Sequence, residues 1–137
     1  MIREIRHEGQ LLAIVLTHDH DEEGLRFLTE APLSLQMGYM KYPKGHRIAA
    51  HVHLPVERVI ERTLEAVIVR SGRVLVDLYA SDRRHVADVE LAAQDAILLA
   101  SGGHGFRFLE DGALLEIKQG PCVPPRQDKE KFTGAGE

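Results

Sequence analysis

The residues best equipped for chemistry in this chain are histidines. Eight occur in 137 residues, and two pairs have His-x-His spacing, His18 with His20 and His51 with His53. At this histidine content about half of one such pair is expected by chance. On a strand, residues two apart project to the same side, so two imidazoles so spaced can bind one ion at about 2.0 to 2.2 Å. His51-Val52-His53 has a strand-like setting, although hydrogen-bonded barrel histidines account equally well for its local sequence. His18 and His20 lie among Asp19, Asp21, Glu22 and Glu23, which reads as a solvated acidic turn, and they are left out of the candidate site.

The residues around the second pair have a recurrent spacing. Gly45 is followed by five residues and then His51-Val52-His53; Glu65 is followed by six residues and then Gly72. Further on runs Gln94-Asp95-Ala96-Ile97-Leu98-Leu99-Ala100-Ser101-Gly102-Gly103-His104-Gly105-Phe106. This pattern resembles the two motifs of the cupin superfamily. The first is Gly, five residues, His-x-His, a short gap, Glu, six residues, Gly; the second is Gly, five residues, Pro-x-Gly, two residues, His.

The chain departs from those motifs in three ways: eleven residues separate His53 from Glu65, Gln94 and Ala100 replace Gly and Pro, and one residue separates Gly102 from His104. The resemblance covers about Leu33 to Lys118. The Ser101 to Phe106 turn and the Lys118-Gln119-Gly120-Pro121 exit are similar to a subgroup of small bacterial cupins.

The resemblance implies a divalent metal held by His51, His53, Glu65 and His104. Glu57, separated from His53 by three residues, is a rival carboxylate and Glu61 a weaker one; Glu65 keeps the six-residue spacing to Gly72. Imidazole and carboxylate suit iron, manganese, nickel, cobalt or zinc, so the donor set leaves the metal's identity open. Iron(II) implies oxygenase chemistry on a chelated substrate, whereas zinc or manganese implies polarisation of a carbonyl, as in an isomerase or epimerase. The implied substrate is a small polar metabolite such as a sugar derivative or keto acid, and the alternative is a non-enzymatic module that binds a small ligand.

Tyr39, Tyr42, Lys41 and Gln36 are the polar side chains before the histidine pair that could act as acid or base, although ordinary strand aromatics and surface polar groups explain them as well. Phe106 and Phe108 share the phase of His104 and should form an apolar wall beside it. Arg47, Arg107 and Lys118 could hold an anionic substrate group, but surface ion pairing is the commoner role of such residues.

The elements that must position these residues read as strands almost throughout. Short apolar runs bounded by Gly, Pro, Asp and Ser appear at Leu11 to Leu16, Leu25 to Leu28, Leu33 to Tyr42, Ile48 to His53, Glu65 to Arg70 and Arg73 to Tyr79. Four more follow at Val86 to Leu91, Ala96 to Ala100, His104 to Leu109 and Ala113 to Lys118. Ser71-Gly72 predicts a hairpin between its flanking strands. Val56 to Ala66 admits a short helix, because Val56, Val59, Ile60 and Leu64 have helical spacing. The fold class expected is all-β, a single-domain cupin-type jelly-roll β-barrel of antiparallel strands. It divides into N-terminal strands over 1–32, a barrel core over 33–118 and an irregular tail over 119–137.

Composition narrows the function classes. A formal charge of -4 with 28% charged residues is neither a basic nucleic-acid footprint nor an acidic tail. No run of 18 apolar residues occurs, and the charged start, Met1 to Glu8, does not read as an export signal. A single cysteine, Cys122, excludes an intrachain disulfide and suits a reducing, cytoplasmic setting. Neither nucleic acid nor membrane is expected as a partner; sheet-edge pairing into a homodimer is.

Overall fold

The structure, a computed structural model, describes residues 1–137. Ten strands and one helical turn follow one another: β1 Ile2–His7, β2 Gln10–Leu16, β3 Gly24–Phe27, β4 Gly38–Lys41, β5 Glu65–Ser71, β6 Arg73–Tyr79, β7 His85–Ala92, β8 Ala96–Leu99, β9 Gly103–Phe108, β10 Ala113–Lys118 and α1 Pro125–Asp128. All strand pairings are antiparallel. They form a five-stranded sheet in the order β1-β2-β8-β5-β10, a three-stranded sheet in the order β7-β6-β9, and the hairpin β3-β4. The chain is therefore all-β, as expected, but its sheets do not close into a barrel. No helix is long and apolar enough to cross a membrane.

The core forms where alternating residues of the two larger sheets meet. Val67 and Val69 of β5 face it from one sheet; Val74, Val76 and Leu78 of β6 face it from the other, with Val89, Leu91 and Ile97 closing the layer. Val69, Val74, Val76, Leu78, Leu91 and Ile97 are fully buried, and each such side chain stabilises the fold by about 1.5 to 3 kcal/mol through apolar burial. A smaller cluster of Ile14, Leu28 and Leu98, with Leu35 and Met37 against it, anchors the base of the β3-β4 hairpin.

Several expectations need correction. Ser71-Gly72 does not make a hairpin: β5 pairs with β8 and β10, whereas β6 pairs with β7 and β9. The dipeptide is instead a corner that carries the chain from one sheet to the other. It packs backbone against backbone on Asp111-Gly112, where β9 crosses to β10 in the opposite sense, and Gly72 takes φ +76° there. Only a residue without a side chain tolerates both conditions.

The run Ile48 to His53 is not a strand, and no helix forms over Val56 to Ala66. The ten-strand total is restored by β1, which the charged N-terminal sequence hides. Its turn into β2 is Glu8-Gly9, both at positive φ, a tight hairpin turn whose twist matches that of its strands. Of Leu33 to Tyr42 only Gly38–Lys41 is strand. The tail forms one helical turn, and beyond it Phe132 packs edge-on against Tyr79, ring centroids 5.1 Å apart.

Candidate functional site

Glu65 opens β5 and His104 is the second residue of β9, so the two sit on opposing sheets at the same end of the molecule. They meet directly: His104 Nε2 lies 2.6 Å from Glu65 Oε1, with side chains 32% and 14% exposed. Leu78, fully buried, is the cross-strand partner of His104, so the imidazole projects to the core side of its sheet.

Two residues of β10 complete the polar group. Lys118 is paired with Glu65 across the sheet, and Glu116 lies one pleat away on the same strand. The hydrogen bond from the His104 ring holds the Glu65 carboxyl below the usual carboxylate range, outweighing burial. Glu116 is pushed the other way, by its hydrogen bond to Glu65 and then by burial. The pair thus divides its protonation, Glu65 ionised and Glu116 holding its proton to higher pH.

This group lines a cleft of about 1140 Å³ that also takes in Glu61, Asp77, Phe106, Arg107 and the tail residues Lys129 to Phe132. Phe106 packs against the core beside His104, ring centroids 5.7 Å apart. Phe108, expected on the same wall, is 51% exposed.

The other two ligand candidates are elsewhere. His51 and His53 lie close together, ring centroids 5.2 Å apart, but on a segment exposed from Tyr42 to Thr63. The structure thus brings Glu65 and His104 together and sets His51 and His53 apart from them. Glu57 is on the same exposed segment, and Glu61 reaches the rim of the cleft.

The proposed acids and bases have other employment. The Tyr39 hydroxyl donates to the His20 carbonyl, Lys41 is paired with Asp21 and Glu23, and the Gln36 amide donates to the carbonyls of Glu30 and Leu33. Tyr42 stacks on His46 at 3.9 Å. Arg47 is exposed, and Lys118 Nζ stands 3.8 Å from Asp128. The turn holding His18 is structural: its backbone N–H and Nδ1 both meet Asp95 Oδ1, at 2.7 and 2.9 Å.

A second group escaped the sequence. Asp77, His85 and Asp88 hold their ligand atoms within 4.8 Å of one another and could bind a metal ion. His85 Nε2 is 2.5 Å from Asp88 Oδ1, and Asp77 faces Asp88 across the β6-β7 pair. Burial, followed by the facing Asp88, pushes the Asp77 carboxyl up. Residues three apart on a regular strand point to opposite faces, but β7 has a register shift beside His85. A bulge of this kind re-aims a side chain, so no sequence spacing marks the triad.

No protein-family model, curated protein or solved structure matches the chain. What fold and site define is a small antiparallel all-β protein that carries a carboxylate-histidine pair in an open cleft and a separate His/Asp/Asp group.

Proposed function

We propose that the chain is a cupin-type metalloprotein whose divalent ion is held by Glu65 and His104, with His51 and His53 completing the donor set. The observation that carries this reading is the 2.6 Å approach of His104 Nε2 to Glu65 Oε1 in the cleft wall. Two residues 39 positions apart in sequence supply one nitrogen and one oxygen donor at a single place, which suits a divalent transition ion. Such an ion supplies Lewis-acid or redox chemistry when bound.

The chain's own residues provide what surrounds that chemistry. Glu116, whose carboxyl is pushed up by its hydrogen bond to Glu65, stands where it can exchange a proton with a substrate. Lys118 and Arg107 offer positive charge to an anionic group, and the cleft admits a small polar metabolite. We read the protein as an oxygenase or isomerase of such a metabolite, with a non-catalytic ligand-binding module as the alternative. The free, exposed Cys122 accords with a reducing cytoplasm.

The rival metal site is Asp77, His85 and Asp88, which has three donor groups already gathered. Elemental analysis of protein purified without a nickel column or chelator separates the two. Near-stoichiometric metal lost in His104→Ala and kept in His85→Ala supports the cleft. The opposite pattern transfers the metal to the triad, and a metal-free wild type that takes up neither iron(II), manganese nor zinc refutes both.

A further inference from the structure

We infer that the segment Arg47 to Val56 is an exchanged strand, which docks on the free edge of β9 in a second copy of the chain and delivers His51 and His53 to that copy's Glu65 and His104. The inference deepens the metal-site reading above and rests on it.

The first observation is an edge without a neighbour. In the order β7-β6-β9, β9 is hydrogen-bonded on one side only, and the cleft takes in Gly103, His104, Gly105, Phe106 and Arg107 in unbroken succession. No strand is hydrogen-bonded along that edge; only the tail approaches it, with Phe132 against Gly103 and Gly136 near Arg107. An unpaired edge of this length is a template for another strand.

The second observation is a strand without a sheet. Every residue from Tyr42 to Thr63 is exposed, and from Lys44 to Thr63 the backbone makes a single backbone hydrogen bond, from His46 N–H to the Pro43 carbonyl. The side chains nonetheless alternate with the period of a strand. Ile48, Ala50, Val52, Leu54 and Val56 fall on one face; Arg47, Ala49, His51 and His53 fall on the other. Val52 is 81% exposed and Leu54 77%, a run of apolar surface that water disfavours.

The two faces decide the occupant. β9 presents His104 and Phe106 on the face that meets the core, opposite Leu78 and Val76 of β6. A strand added to its edge with His51 and His53 on that same face sets all three imidazoles and Glu65 on one side of the sheet. Its apolar face then points outward and must be covered by another body. Two-fold exchange between copies fills both free edges at once, because each copy contributes one such strand and one such edge. It also accounts for the eleven residues between His53 and Glu65, a connection long enough to cross between subunits, and for sheets that do not close within one chain.

The test is complementation between two double variants, His51→Ala/His53→Ala and Glu65→Gln/His104→Ala. Each alone forms only broken sites. Denatured together and refolded, they form mixed dimers in which one site has all four native ligands, so about a quarter of an equivalent of metal per chain returns. Light scattering on the same samples should give twice the 15.3 kDa chain mass. Should either double variant fail to fold, the single variants His51→Ala and Glu65→Gln take their place in the same experiment. A metal-bearing wild type that is monomeric, or whose variants regain no metal on mixing, overturns the exchange and leaves the metal site standing within one chain. A wild type that neither holds nor takes up metal overturns the metal-site reading and this inference with it.

Discussion

Replacing Gly72 with Ala tests the sheet-crossing corner, and Gly9→Ala supplies its control. The two glycines have nearly the same backbone, φ +76° and +79°. A Cβ at Gly9 meets nothing within 4 Å, whereas one at Gly72 collides with the Asp111 carbonyl and lies 2.9 Å from Gly112 Cα and 3.1 Å from the Asp111 carbonyl carbon. The left-handed conformation costs a residue with a side chain about 1 to 2 kcal/mol at either position. At Gly72 the displaced neighbour is backbone, which adds about 1 to 3 kcal/mol of overpacking. Gly72→Ala should therefore destabilise by about 3 kcal/mol and Gly9→Ala by about 1 kcal/mol.

Urea denaturation followed by far-ultraviolet circular dichroism, at one fixed protein concentration, converts this into a midpoint. With a slope of about 1.5 kcal/mol per molar, Gly72→Ala lowers the midpoint by about 2 M and Gly9→Ala by about 0.7 M. Equal shifts for the two variants would refute the nested crossing and restore the plain hairpin that Ser71-Gly72 suggests in the sequence.

Leu78→Ala removes a fully buried side chain between β6 and its neighbours and should cost about 2 to 5 kcal/mol by the same denaturation assay. Asp95 accepts hydrogen bonds from Ala92 N–H at 2.8 Å and from the backbone and ring of His18; Asp95→Ala should cost about 1 to 3 kcal/mol, because part-buried donors lose a charged acceptor. Burial pushes the Asp95 carboxyl up, but these bonds outweigh it and hold it below its ordinary value. Its contribution is therefore complete above the unfolded carboxylate's pKa and is lost as pH falls through the lower folded value. Acid unfolding of Asp95→Asn should accordingly be less steep than that of the wild type. Cobalt added to His85→Ala should bind as it does to wild type if the cleft is the metal site, with calorimetric stoichiometry as the readout.

Much of the fold was legible because strand periodicity and turn chemistry are local. The buried alternation of Val67 and Val69, then Val74, Val76 and Leu78, is readable in the chain, and β6 to β10 begin and end within a residue or two of their apolar runs. Pairing is not local. A turn glycine joins strands in the same way whether they share a sheet or change sheets, so the partners of β5 and β6 were hidden. β1 was hidden because an edge strand carries charge by necessity, as Arg3, Glu4 and Arg6 do here.

The site divides along the same line. Glu65 and His104 were marked by spacing, and the structure sets them in contact. The Ile48 to His53 run has the pattern of a strand but no neighbour within its own chain, and strand pattern alone does not specify whose sheet it joins. The Asp77, His85 and Asp88 group depends on a bulge and a cross-strand register, neither of which leaves a spacing signal.

The central claim, a divalent ion on Glu65 and His104, is tested most directly by calorimetric titration of wild type, His104→Ala and Glu65→Gln with cobalt(II). The expected result is about one ion per chain in wild type, with binding abolished in His104→Ala and sharply weakened in Glu65→Gln. Cobalt binding unchanged in both variants would contradict it.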